Sequence, residues 1–369
     1  MNRARTESGF SLIELLIATG LLLIISGVVT NALIQMTHSQ KTIWNRTEMH
    51  SGIRGATELL QQEVGQAGRV TLPSAGTILL QSSIDASGIS MPCTPTATSP
   101  YWSGGVTPTN VQLSSTLGLW ADVQKGIKLA VFDGDNSETI TVQAMNTTTK
   151  QITACFSRSH TASVAAPKVM MALGGFAEGI VAPSPLYSIT VGGTTTTGTY
   201  TNGSDKNHLK LFGDVNGDGN MVFVEYVCDN GSISGVTSPS HNLYRNVMLF
   251  DPQMTGSVTA KPAVSASQIL LSNVYPNPTD SDGSERPCFK YQWANVNGLQ
   301  YVLDVAITLT VQTQQIDSIT RQYQTETKAL LNVSPRNVFD VWTMAGYNEQ
   351  NRVQFMPPAV TTLLPNGTP

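Results

Sequence analysis

The feature that most constrains this chain is an uninterrupted apolar stretch close to its N-terminus. It covers 10–30 and contains a single charged residue, Glu14. As an α-helix this stretch would be about 31 Å long, which matches the thickness of a bilayer core. Arg3 and Arg5 precede it, and basic residues favour the cytoplasmic side of a membrane. The sequence therefore predicts a membrane helix whose N-terminus lies in the cytoplasm.

Two common kinds of N-terminal segment explain this stretch less well. A cleaved secretory signal has an apolar stretch of about 7–15 residues that ends at a small-x-small cleavage site. Here the stretch is longer and no such site follows it. A simple signal anchor fits the length but leaves Glu14 unexplained, because an acidic group near a membrane is unfavourable and usually has a functional partner.

The string GFSLIELL at 9–16 follows a short basic leader and opens the apolar stretch. It resembles the cleavage and methylation motif of type IV pilins and type II secretion pseudopilins. The resemblance implies that a membrane prepilin peptidase cuts between Gly9 and Phe10, and that the new Phe10 amine is N-methylated. It also implies that Glu14 pairs with the N-terminal ammonium of a neighbouring pilin, which offsets the unfavourable desolvation of a carboxylate in a low-dielectric medium.

The helix is predicted to continue beyond the membrane. No proline occurs over 31–68, and apolar residues recur at helical spacing. These residues are Met49, Ile53, Ala56, Leu60, Val64 and Ala67. Gly65, Gly68 and Pro73 predict its end. A membrane-proximal coiled coil is the alternative, but the spacing does not keep a strict heptad, so we favour a helix packed on a sheet.

The rest of the chain is predicted to be β-rich. The clearest strand is Tyr301–Gln312, where apolar and polar residues alternate, and Arg321–Leu331 follows as its hairpin partner. The other candidates are Lys128–Phe132, Glu138–Ala144, Gln151–Phe156, Met221–Cys228, Leu243–Phe250 and Gln268–Tyr275. The Gly/Thr-rich stretch Val191–Ser204 is predicted to be an exposed loop.

These patterns predict an α+β protein, in which a long N-terminal helix packs on a large antiparallel β head. The predicted parts are a leader at 1–9, a transmembrane half-helix at 10–30, an amphipathic half-helix at 31–70 and an extracytoplasmic head at 71–369.

Two further segments resemble large minor pilins of the J/W class: Leu60–Arg69 at the helix end and Val302–Asn337 in the head. A head of about 300 residues also fits a low-copy subunit rather than a major pilin. The resemblance implies a minor pilin that helps to initiate, cap or functionalise a type IV pilus. The alternatives are a J-class pseudopilin of a type II secretion system and a pilus-tip adhesin.

The implied partners are other pilins, the prepilin peptidase and the inner-membrane assembly machinery. The precursor would lie in the bacterial inner membrane, with the head later in the periplasm or outside the cell.

Composition argues against other classes of function. The net charge is −4 and charged residues make up 12% of the chain, so no nucleic-acid partner is predicted. The chain contains neither a Gly-x-Ser-x-Gly nor a His-Glu-x-x-His motif, and its five histidines are scattered. No enzyme is therefore predicted.

The four cysteines lie in the predicted extracytoplasmic head, where disulfides persist. Cys93, Cys155, Cys228 and Cys288 allow three pairings, or four buried free thiols. We favour Cys93–Cys155 and Cys228–Cys288, because pairs that are close in sequence are simplest in a β meander.

One loop matches a calcium-binding pattern. The residues at 214–225 fit D-x-[DN]-x-[DN]-G-x₅-E, in which Asp214, Asn216 and Asp218 would bind through side chains. Asn220 would bind through its carbonyl and Glu225 would close the shell. A strand-like run follows the loop, so we expect a static calcium site rather than a switch that moves helices. An Asx-rich turn without metal is the alternative.

Overall fold

The computed structural model shows an α+β protein with one long apolar helix and a large antiparallel β-rich remainder. It describes the residues 11–68, 78–86, 109–114, 128–146, 148–154, 156–172, 175–176, 179–183, 186–191, 194–199, 202–216, 222–231, 241–249, 261–284, 286–296, 299–318, 320–347, 353–354 and 363–367.

Helix α1 extends without interruption over Leu12–Gln66. Ser11 caps its start, since the Glu14 N–H donates to the Ser11 hydroxyl at 3.2 Å. Gly68 follows its end with a φ of +81°, a conformation that glycine adopts without steric penalty. The carbonyl of Gln66 accepts a hydrogen bond from the Asn337 amide at 3.1 Å, which satisfies one of the last helical carbonyls.

The strands are β1 (Ile78–Leu80), β2 (Thr109–Gln112), β3 (Lys128–Phe132), β4 (Glu138–Asn146), β5 (Gln151–Ala154), β6 (Lys168–Ala172), β7 (Gly175–Phe176), β8 (Leu186–Val191), β9 (Thr194–Thr199), β10 (His208–Gly213), β11 (Val222–Cys228), β12 (His241–Leu249), β13 (Ile269–Tyr275), β14 (Phe289–Val296), β15 (Leu299–Gln312), β16 (Thr325–Val333) and β17 (Val353–Gln354).

Two sheets make up most of the head. The larger follows the order β10-β11-β12-β13-β15-β14, with β16 also paired to β15, and the smaller follows β1-β6-β3-β4-β5-β2. In the smaller sheet and from β10 to β15 of the larger one, neighbouring strands run antiparallel, whereas β17 pairs with β7 in parallel. A shared apolar core includes Leu129 and Ile152 of the smaller sheet and Phe212 and Phe223 of the larger one.

Two features of the head differ from the sequence predictions. Val191–Ser204 is predicted to be a loop, but β9 lies within it and pairs with the preceding strand β8, consistent with the strand preference of β-branched threonine. A helix that the pattern analysis did not predict, α2 (Arg336–Gly346), follows β16. Val338, Val341 and Ala345 of α2 are buried, and this helical spacing is the signal that could have identified it.

By its internal contacts the chain divides into two compact units, Met1–Ser51 with Gln312–Glu326, and Gly52–Val311 with Thr327–Pro369. In the first unit, Arg46 donates a hydrogen bond to Gln324 of the segment between β15 and β16, and His50 pairs with Glu326. The second unit contains the rest of α1, most of both sheets and α2.

Candidate assembly helix and its anchor in the head

The first half of α1 presents exposed apolar side chains in the described part of the chain. From Ser11 to Lys41 every residue except Gly20 is exposed. The most apolar window of 18 residues has a mean hydropathy of 2.5, and none of it is buried. The helix is therefore long and apolar enough to cross a membrane, and such a surface needs lipid or other apolar helices around it.

Glu14 lies on this exposed surface, in the first turn of α1. Negative charge is favourable there, because the N-terminus of a helix carries a partial positive charge. A carboxylate at this position can accept hydrogen bonds from a cation supplied by another chain. Gly9 and Phe10, where cleavage and methylation are predicted, lie outside the described residues.

The second half of α1 is bound to the larger sheet. Ile53, Ala56, Leu60 and Val64 from the predicted apolar face are buried, which confirms that prediction. A hydrogen-bonded ion pair lies among them. Glu63, only 3% exposed, accepts hydrogen bonds from the Tyr226 hydroxyl and from Arg245 Nε and Nη2.

The electrostatics of this anchor follow from its burial and its pairing. Burial and the neighbouring Glu63 carboxylate raise the pKa of Tyr226, so its hydroxyl stays protonated and donates. Burial disfavours the charged form of Arg245, but the hydrogen bonds to Glu63 raise its pKa overall. The sequence analysis missed this anchor, although Glu63 is an acidic residue in the stripe formed by Leu60, Val64 and Ala67.

Gly68, two positions after the end of α1, approaches the sheet closely. The Gly68 N–H donates to the Phe212 carbonyl at 2.8 Å, and Gly68 forms a bridge with Gly213. A Cβ atom on Gly213 would lie 2.3 Å from the Gly68 carbonyl oxygen. Only glycine at 213 therefore allows this contact, which together with Glu63 fixes where α1 ends on the sheet.

In the sequence, four of the predicted calcium ligands lie between β10 and β11, and the fifth, Glu225, lies within β11. Asp214 follows β10 and Asn216 lies in the turn after it, whereas Asp218 and Asn220 fall outside the described residues. Glu225 lies in β11, three residues along from the Gly213–Val222 pair, or about 10 Å at the usual strand rise.

Glu225 has a different environment from the one expected of a calcium ligand. Its side chain is fully buried, and Oε2 accepts from Lys261 Nζ at 2.7 Å while Oε1 accepts from the Gly367 N–H at 3.0 Å. The predicted calcium site therefore depends on Asp214, Asn216, Asp218 and Asn220, and it stays a prediction. Within the described part of the chain, no group of three or more His, Cys, Asp or Glu side chains is placed to hold a metal ion.

A disulfide joins Cys228 at the end of β11 to Cys288 just before β14. This is one of the two predicted pairs. The other predicted pair, Cys93–Cys155, lies outside the described residues and stays a prediction.

Comparison with known proteins found no matching protein family, no similar curated protein and no similar solved structure.

Proposed function

We propose that the protein is a minor pilin that enters the inner membrane as a precursor, is cut by a prepilin peptidase and joins a type IV pilus through α1. The observation that carries the proposal is the combination of the GFSLIELL string with an apolar half-helix that is exposed in the part of the chain that the structure describes. An isolated membrane anchor would need the apolar residues but would not need Glu14.

In this proposal the exposed half of α1 changes its surroundings from lipid to the neighbouring helices of a filament. Its apolar side chains stay out of water in both places, so the transfer involves little hydrophobic penalty. Glu14 selects the docked position, because a carboxylate in a low-dielectric medium is strongly stabilised by the methylated ammonium of Phe10 in the next subunit.

The second half of α1 carries the head. Glu63, Arg245 and Tyr226 fix this part of the helix to the larger sheet, supported by the close contact between Gly68 and Gly213. A buried pair of this kind holds one register, since sliding the helix would leave both charges unpaired. This second half of α1 and the larger sheet would therefore enter the filament together.

Processing tests the proposal directly. Gly9→Val should leave an unprocessed precursor in the native inner membrane, while the wild-type chain begins at methylated Phe10. Intact-mass and N-terminal analysis of the purified protein distinguish the two forms. Gly20→Val is the matched control, because a Cβ at Gly20 contacts nothing within 4 Å and the residue lies outside the motif.

Normal processing of the Gly9 variant would contradict the prepilin assignment. If processing fails as expected, deletion of the gene in its host distinguishes the two candidate functions. Loss of a minor pilin should affect pili, and loss of a J-class pseudopilin should affect protein secretion.

The same proposal includes calcium, which would bind the 214–220 loop and stiffen this part of the head without acting as a switch. With ligands from Asp214, Asn216, Asp218 and Asn220, we expect a dissociation constant of about 10⁻⁴–10⁻³ M, as in extracellular modules. Calorimetry should detect binding of millimolar calcium and a raised melting temperature, and Asp218→Ala should abolish both. A turn without metal would show neither effect in the wild type.

A further inference from the structure

A second polar cluster lies inside the head, where the C-terminal segment 363–367 meets β10 and β11. Lys210 of β10 is fully buried and stands opposite the fully buried Glu225 in the strand register. Lysine is almost never fully buried unless it is paired. The proposed assembly through α1 makes no use of this amine or of the segment that covers it.

The Lys210 amine lies against a side-chain amide. Its Nζ donates to the carbonyl oxygens of Asn202 at 2.8 Å, Gly203 at 3.2 Å and Leu364 at 2.5 Å, and to Oδ1 of Asn366. An ammonium has three protons for these four acceptors. Because Oδ1 is bonded to Cγ, the amine is adjacent to the carbon that a nucleophile would attack.

A carboxylate lies on the other side of the same amide. Nδ2 of Asn366 donates to Asp205 Oδ2 at 3.1 Å. Burial alone would raise the pKa of Asp205, but hydrogen bonds, first of all from His208, lower that pKa to about 2. Asp205 is therefore ionised at neutral pH and can accept a proton.

The backbone next to Asn366 is held in place. The Gly367 N–H donates to Glu225 Oε1 at 3.0 Å, and the Gly367 carbonyl lies 3.1 Å from His208 Nε2. These contacts restrict how the amide can turn. Fixed geometry of this kind gives intramolecular reactions effective molarities of about 10⁵–10⁸ M.

We propose that Lys210 and Asn366 form an intramolecular isopeptide bond. The neutral Lys210 amine attacks Cγ of Asn366, and the carbonyl π electrons move to Oδ1. Asp205 takes a proton from the attacking nitrogen and returns it to Nδ2. The carbonyl reforms, the Cγ–Nδ2 bond breaks, and ammonia leaves with that electron pair. The net change is an amine plus a primary amide giving a secondary amide plus ammonia, with no oxidant or cofactor.

Two properties of the site favour this reaction. Burial lowers the pKa of Lys210 to about 8 against the opposing effect of Glu225. Roughly one tenth of the amine is then neutral and nucleophilic at pH 7, far more than for an ordinary lysine. Asn366 is exposed, so the departing ammonia reaches solvent directly. The product would tie β10 to the C-terminal segment across 156 positions of sequence.

Mass spectrometry of the full-length reduced protein tests the bond. The measured mass should fall short of the calculated mass, for the N-terminus found by sequencing, by one ammonia molecule. Tryptic digestion should release a branched peptide in which 207–245 is joined to 353–369, since trypsin does not cut after an acylated Lys210.

Variants separate this bond from its chemical competitor. Asn366 precedes Gly367, and a succinimide formed there would lose the same mass without involving Lys210. Lys210→Arg and Asn366→Ala should both restore the full calculated mass, and Asp205→Asn should reduce the cross-linked fraction. Lys290→Arg is the matched control and should keep the branched peptide, because Lys290 is an exposed residue of β14.

The proposal fails if the wild-type protein has its full calculated mass, or if the mass deficit persists in Lys210→Arg. If Lys210→Arg does not fold, Asn366→Ala is sufficient, because removing this exposed side chain leaves no cavity. The branched peptide found in the wild type should then be absent from Asn366→Ala.

Discussion

The two halves of α1 belong to one helix, but their surroundings are opposite. In the first half, apolar side chains such as Leu12, Leu23 and Ile25 face outward. In the second half, Ile53, Leu60 and Val64 are buried against the head. Each half also has one acidic residue set among apolar neighbours, Glu14 and Glu63.

The same local chemistry has two different consequences in the two halves. Glu63 has its cationic partner Arg245 within the chain, so this pair stabilises the fold. We propose that Glu14 obtains its cation from another subunit, so that its pairing contributes to assembly and not to folding. Substitutions in the two halves should therefore separate stability from assembly.

The largest loss of stability is expected from Glu63→Ala. It leaves Arg245 and the Tyr226 hydroxyl without their partner in a largely buried site, and the free energy of unfolding should fall by about 4 kcal/mol. Denaturant unfolding of the full chain in detergent measures the change. Glu58→Ala is the control: its carboxylate pairs only with Arg54 on the exposed face, and we expect a change below about 0.5 kcal/mol. Equal effects of the two variants would show that the buried pair does not anchor the helix.

Leu60→Ala should have the next largest effect. The side chain is completely buried, and its truncation leaves a cavity that lowers the free energy of unfolding by about 3 kcal/mol. Leu23→Ala makes the same chemical change in the other half, where the side chain is 72% exposed, and should leave unfolding in detergent unchanged. If Leu23→Ala lowered the free energy of unfolding as much as Leu60→Ala, the claim that only the second half of α1 stabilises the head would be wrong.

Glu14→Ala should have the smallest effect on stability and a large one on assembly. The variant should insert in the membrane, lose its leader and unfold like the wild type, because Glu14 is an exposed residue in the first turn of α1. Its incorporation into filaments should fall strongly, since the proposed ammonium partner in the neighbouring subunit is lost. Filament fractions quantified against membrane fractions provide the measurement. Wild-type incorporation would remove the role proposed for Glu14.

Sequence patterns predicted α1 and eight strands of the head, among them β3, β11 and β15, because the signals of these elements are local; strands such as β10 and β14 were not predicted. The helical spacing from Ile53 to Val64 and the alternation over Tyr301–Gln312 each depend on neighbouring residues alone. The prediction missed α2, whose apolar spacing is confined to a short segment after Pro335. It also took the threonine-rich β9 for a loop, because glycines on both sides resemble turn signals.

Sequence patterns did not predict the polar clusters, for a different reason. Glu225 fitted a calcium pattern by its spacing from Asp214, yet in the fold it faces Lys261 and the backbone of Gly367. The spacing of residues within one loop carries no information about partners that lie 36 and 142 positions further along the chain. Such partners are set by the register of β10 against β11 and by where the C-terminal segment packs.

The sequence by itself determined that this protein has a long apolar helix with a single acid near its start, because composition and helical periodicity suffice to form such a helix. Only the tertiary structure decided which acids are paired. Glu63 meets Arg245, and Lys210 lies between Asn366 and the C-terminal backbone, because sheet pairing and core packing bring distant segments together. Burial then makes these contacts strong, since the low dielectric of the interior penalises every charge left without a partner.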